Sequence, residues 1–135
     1  MDTSVLVSAL RSRRGASFRL LSLADDLRIR LLISPALMFE YEALAKRQAA
    51  EFWADPSQVD AILDYICLIG EKPIIAYTWR PALPDPGDDY LLELGVSGGA
   101  DAVVTHNTTD FRGANRFGLA ILTPKEFLAK LEIQP

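Results

Sequence analysis

Four places in the sequence put carboxylates where they could bind a hard metal ion or handle a proton. They are Asp2 in MDTSVLVSAL, Glu40 in SPALMFEYEAL, the trio Asp85, Asp88 and Asp89 in PDPGDDYLLEL, and Asp110 in VVTHNTTDF. Each also has a structural explanation. Asp2 can serve as the N-cap of a helix beginning near Thr3 or Ser4. Asp85 can cap a helix with Pro86 as its first residue and Asp88 near the third. Asn107 can cap a short turn that carries Asp110. Glu42 pairs with Lys46 at i,i+4, whereas Glu40 has no such partner and borders the stripe of Leu37, Met38, Tyr41, Leu44 and Ala45. The acid left over is the informative part. Three carboxylates within five residues repel one another, and a helix end offsets only about half a charge. Magnesium and manganese take oxygen ligands from a few carboxylates, with water and substrate phosphate completing the octahedron, and these acids suit that task.

Other chemistries lack parts. The single histidine, His106, and the single cysteine, Cys67, cannot build a zinc site. There is no phosphate-cradling GxxxxGK[ST], no GxGxxG after a strand and no GxSxG elbow. His106 reads most simply as a strand-end residue.

The elements that must position the acids follow from periodicity and punctuation. Residues 3–13 and 18–27 read as helices, and 31–34 as a buried strand stopped by Pro35. Residues 36–47 and 59–69 read as helices, and 72–79, rich in β-branched and aromatic residues, as a strand. The proline-rich loop 80–87 precedes a helix over 88–96 that stops at Gly98 and Gly99. Residues 102–105 and 119–122 read as strands, and 124–131 as a closing helix. Strands alternating with helices imply an α/β fold: a three-layer sandwich with a mainly parallel sheet of four to five strands and helices on both faces. In such sheets ligands collect beyond the carboxyl ends of the strands, where Thr105, Asn107 and Asp110 fall.

The 135 residues are one domain's worth of chain, half of them apolar, with no run long enough to span a membrane, and no secretory leader is expected. A lone cysteine forms no internal disulfide; Cys67 is expected to be a buried thiol and the cytoplasm the simplest address. The net charge of −4 is unevenly spread. Residues 1–30 hold six arginines against three aspartates, while the other 105 hold eight basic and fifteen acidic residues. This basic segment is either an ordinary solvated helix face or a phosphate-holding surface in which Arg11, Arg13 and Arg14 bind substrate.

The blocks DTSVLVSAL, SPALMFEYEAL, DPGDDYLLELG and VVTHNTTDF resemble, in order, the four signature blocks of the PIN-domain family. The resemblance runs over nearly the whole chain and is nearest to toxin components of toxin–antitoxin systems, related to VapC-type ribonucleases. It implies one PIN-like domain over residues 1–135 that cleaves RNA with Mg²⁺ or Mn²⁺. It further implies a small antitoxin as partner, and a homodimer for which the apolar faces near residues 59–69 could serve. Carried over residue by residue, the catalytic acids are Asp2, Glu40, Asp88 and Asp110, with Asp2, Asp88 and Asp110 holding metal. Ser4, Thr105 and Asn107 support the pocket, and Asp85 and Asp89 compete with Asp88 for the third place. Family members carry an apolar strand before the first Asp; only Met1 precedes Asp2 here, so either the true start lies upstream or Met1 marks a form with a truncated first strand. Two other functions stand beside the nuclease. One is a non-catalytic binding module of the same fold. The other is an acid-dependent phosphatase, which needs a second Asp where Ser4 stands.

Overall fold

A computed structural model describes residues 1–75 and 88–133. Among these residues six α-helices, α1 (Thr3–Arg11), α2 (Ala16–Ser22), α3 (Pro35–Arg47), α4 (Pro56–Ile69), α5 (Asp89–Ser97) and α6 (Pro124–Ile133), surround two short strands, β1 (Ala102–Val104) and β2 (Ala120–Leu122). Local chemistry starts the helices cleanly. The Ser34 hydroxyl accepts the Leu37 N–H at 3.2 Å ahead of Pro35. Asp55 and Gln58 form a reciprocal capping box ahead of Pro56, and Thr123 with Glu126 does the same around Pro124.

The strands pair in parallel, Ala102 opposite Ala120 and Val104 opposite Leu122. Val103 packs into the main core with Leu6, Leu37, Ile66, Leu92 and Phe111. Its neighbour Val104 points the other way, into a smaller core with Val5, Leu20 and Leu128. Helices therefore cover both faces of the small parallel sheet, as the alternation of elements requires.

Among the described residues the sheet has two strands, not the four to five expected. Residues 31–34 make only an isolated parallel bridge, Leu32 with Glu71. The Glu71 N–H donates to Leu31 and the Ile33 N–H to Glu71. The next rung needs an N–H at position 73, where Pro73 has none, so the ladder stops. Residues 72–75 take no regular structure, and the remainder of the expected 72–79 strand lies outside the described residues. The second helix begins at Ala16 and ends at Ser22 rather than spanning 18–27. Beyond it the Asp26 carboxylate binds the Arg28 N–H at 2.9 Å and its guanidinium, a local turn that competes with helix. Cys67 is exposed, contrary to expectation. Helix α4 buries Val59, Leu63 and Ile66, and its phase leaves Cys67 at the margin of that face. No helix among the described residues is long and apolar enough to cross a membrane.

Candidate active site

Asp2 is held from three sides. As N-cap of α1 it accepts the Thr3 N–H on Oδ1 at 2.9 Å. Its Oδ2 accepts the Ser4 hydroxyl at 2.8 Å and the Thr105 hydroxyl at 2.7 Å. Thr105 has no exposed surface and Asp2 only 8%, so these bonds form away from bulk water. The Asp2 N–H donates to the Val104 carbonyl at 2.9 Å, fastening the start of α1 to the carboxyl end of β1. Ser4 binds this corner again: its Oγ accepts the His106 N–H at 3.1 Å. The Thr105 oxygen accepts the Asn107 N–H at 2.9 Å, which shapes the turn leaving the strand.

Past that turn, residues Thr108–Phe111 form one 3₁₀ turn with Asp110 in it, anchored by the buried Phe111 ring. Glu40 lies on α3, one position before the wholly buried Tyr41, whose hydroxyl donates to the Met1 carbonyl. Asp88 is the N-cap residue of α5 and makes no side-chain cap bond to its helix. These four acids, from four separate segments, line one cleft of about 740 Å³ with Ser4, Tyr90, His106 and Asn107.

The competitors for the third acid part company. Asp89 is fully buried in the first turn of α5 and is not among the residues lining the cleft; Asp85 lies outside the described residues. Of the arginines, Arg11 lines the cleft but is tied to Glu51 at 2.7 Å and to Gln48. Arg13 stacks over the Trp53 ring at 4.1 Å. Arg13 and Arg14 line a different groove, shared with Arg19 and Lys125.

Tyr90 escaped sequence reasoning, although its place two residues after Asp88 puts it on the helix turn facing the cleft. Burial pushes its phenol up to about 12; a hydrogen bond with Thr3 pulls against this, and the charges of Glu40, Asp2 and Asp88 add to the rise. Tyr41 is raised well above its ordinary value, first by burial and then by the Asp2 charge. His106, exposed at the strand end, shares a 2.7 Å hydrogen bond through Nε2 with Ser17 Oγ.

The four acids lining the cleft offer hard carboxylate oxygens, the donors that Mg²⁺ and Mn²⁺ take, with the His106 imidazole beside them. Among the described residues no three acidic, histidine or cysteine side chains converge tightly enough to cage an ion. Magnesium does not require such a cage, since one or two carboxylates with water and substrate phosphate complete its shell. The residues present fit a cation of this kind.

The structure is an α/β domain with helices on both faces of a small parallel sheet and an acidic cleft beyond the strand ends. The family model described as PIN domain matches residues 1–109, and the chain belongs to the PIN-domain family. PIN domains are typically nucleases, act on nucleic acid and generally use divalent metal ions. No curated protein and no solved structure matches the chain significantly.

Proposed function

We propose that this protein is a metal-dependent ribonuclease that hydrolyses RNA phosphodiester bonds. The observation that carries the reading is the convergence of Asp2, Glu40, Asp88 and Asp110 on one cleft from segments far apart in the chain. Asp2, Asp88 and Asp110 would hold the ion. Bound there, a divalent cation would neutralise charge at phosphorus and lower the pKa of a coordinated water. Thr105, Ser4 and the Thr3 N–H fix Asp2 so that its carboxylate need not reorganise during reaction. Glu40, which lines the same cleft, would orient the attacking water or complete the ion's shell. The water oxygen bonds to phosphorus and the bond to the 3′ oxygen breaks. The products are a 5′-phosphate and a 3′-hydroxyl.

The order of the four sequence blocks supports a narrower reading, a toxin restrained by a small antitoxin that fills the acidic cleft. The exposed Leu68 and Tyr65 on α4 support homodimerisation through that helix.

The test is calorimetric Mn²⁺ titration of the intact chain beside Asp88→Asn, followed by cleavage of an end-labelled single-stranded RNA with and without chelator. Saturable binding lost in the variant, with cleavage abolished by chelator, is the expected result. A folded chain that binds no Mn²⁺ at millimolar concentration overturns the nuclease reading in favour of a non-catalytic binding module.

A further inference from the structure

A second groove, of about 750 Å³, lies between α2 and α6, and its charge is opposite to that of the cleft. Arg13, Arg14 and Arg19 line it from the α1–α2 turn and α2, and Lys125 lines it from α6. Among its described lining residues Glu132 is the one carboxylate, and it is paired with Arg19 at 2.6 Å. Arg13, Arg14 and Lys125 have no carboxylate partner among the described residues, in a chain whose net charge is −4. The Arg13 guanidinium lies over the Trp53 ring at 4.1 Å, and that ring meets Phe18 edge to face at 5.8 Å. This stack orders Arg13 and leaves its charge uncompensated. Much of the remaining lining is apolar, with Phe18, Leu23 and Leu128. Groove and cleft adjoin. Ser17, buried between the groove-lining Ala16 and Phe18, shares its 2.7 Å bond with His106 of the cleft. Arg11 of the cleft stands two residues before Arg13 of the groove, a span of at most about 7 Å.

We propose that this groove holds the single-stranded RNA flanking the bond cut in the cleft, with phosphates on Arg13, Arg14 and Lys125 and bases against Phe18, Leu23 and Leu128. The proposal deepens the nuclease reading and rests on it for the link between groove and cleft. Three uncompensated cations around one groove of an acidic protein make a local field that favours a polyanion. Two of them are arginines, whose planar forks match phosphate oxygens in pairs. The apolar lining then discriminates among polyanions. An acidic peptide satisfies the cations but brings no flat apolar face. A duplex keeps its bases stacked on one another and away from the wall. A single strand brings both parts, phosphates for the cations and unstacked bases for the aromatic and aliphatic side chains. The cleft also needs such help, because its four carboxylates repel phosphate until a cation is bound. Anchoring the strand next door, on cations that need no metal, keeps the RNA at hand for that moment.

The experiment is fluorescence anisotropy of a labelled uridine dodecamer titrated with the intact chain at about 0.1 M salt. Chelator is present throughout, so that no cleavage occurs and no metal in the cleft contributes. Saturable binding is expected, and with three phosphates neutralised its logarithm should fall against that of salt with a slope of about −2. Arg14→Gln and Lys125→Gln each remove one contact from an exposed position. Each should weaken binding about fivefold and make the slope shallower by about 0.7. Lys46→Gln makes the same change of net charge outside the groove lining, and should leave affinity within about twofold. An RNA duplex of equal length should bind at least about tenfold more weakly, for want of free bases. No saturation below about 1 mM protein overturns the proposal. So does unchanged affinity in both groove variants, an equal loss in Lys46→Gln, or equal binding of the duplex. Equal or tighter binding of a glutamate dodecamer overturns it in favour of an acidic protein partner. The two readings fail separately: a chain that binds Mn²⁺ but not this RNA loses the groove alone, and one that binds the RNA but no Mn²⁺ loses the nuclease.

Discussion

Replacing Thr105 with valine isolates the hydroxyl that holds Asp2. Valine matches threonine in shape, so the wholly buried site gains no cavity. What is lost is the 2.7 Å bond to the Asp2 carboxylate and the acceptor of the Asn107 N–H. A hydrogen bond to a charged group contributes about 1.5–3 kcal/mol, and the exposed Asn107 amide can turn to water, so Thr105→Val should cost about 2 kcal/mol. With an unfolding entropy of roughly 2.1 cal/mol/K per residue over 135 residues, this lowers Tm by roughly 7 °C. Thr105→Ser keeps the oxygen and deletes one buried methyl, for about 1 kcal/mol. Urea denaturation of both variants gives the comparison. A Thr105→Val protein within about 0.5 kcal/mol of the parent, or less damaged than Thr105→Ser, refutes the idea that this hydroxyl anchors Asp2. A cycle with Asp2→Asn completes the test: the valine penalty should shrink by about 1 kcal/mol once the carboxylate's charge is gone.

Phe111→Ala should cost about 3–5 kcal/mol in denaturant, because the ring is buried in the main core. It should also reduce Mn²⁺ affinity, since that ring anchors the turn bearing Asp110. Tyr90 should ionise near pH 12 by phenolate absorbance, and Asp88→Asn should draw its midpoint downward. Its folded pKa lies above the unfolded value near 10, so its stabilising contribution is complete below pH 10 and is lost as pH rises to about 12. Cys67 in the native chain should react with a thiol reagent as fast as a free cysteine; a rate limited by unfolding would contradict its exposure.

Helix positions were legible because their signals are local. Ser34–Pro35 and Asp55–Pro56 with Gln58 announce helix starts within a few residues, and the structure begins α3 and α4 there. The strands were less legible because their fate is decided by partners. Residues 31–34 have the composition of a buried strand, yet a proline about forty residues later removes the donor that would extend the pairing. The acids were readable as a set, since no local cap or ion pair accounted for all of them. Their support was less so: Ser4 and Thr105 meet on Asp2 across 101 residues, and only the fold brings them together. The burial of Asp89 beside a cleft-lining Asp88 follows from helical phase, which three adjoining acids at a helix start do not reveal.

Charge balance explains why the fold can keep the four acids close and still leave work for a cation. Asp2 and Asp88 are the N-cap residues of α1 and α5, so each stands at the positive end of a nine-residue helix. Each helix end offsets about half a unit of negative charge, together roughly one of the four. The remaining basic group in the cleft lining, Arg11, is already paired with Glu51 and so brings little further compensation. Burial raises the phenols of Tyr41 and Tyr90, and the neighbouring carboxylate charges add to the rise. The excess of about three charges in such a cleft favours a small divalent ion and the phosphate that would follow it.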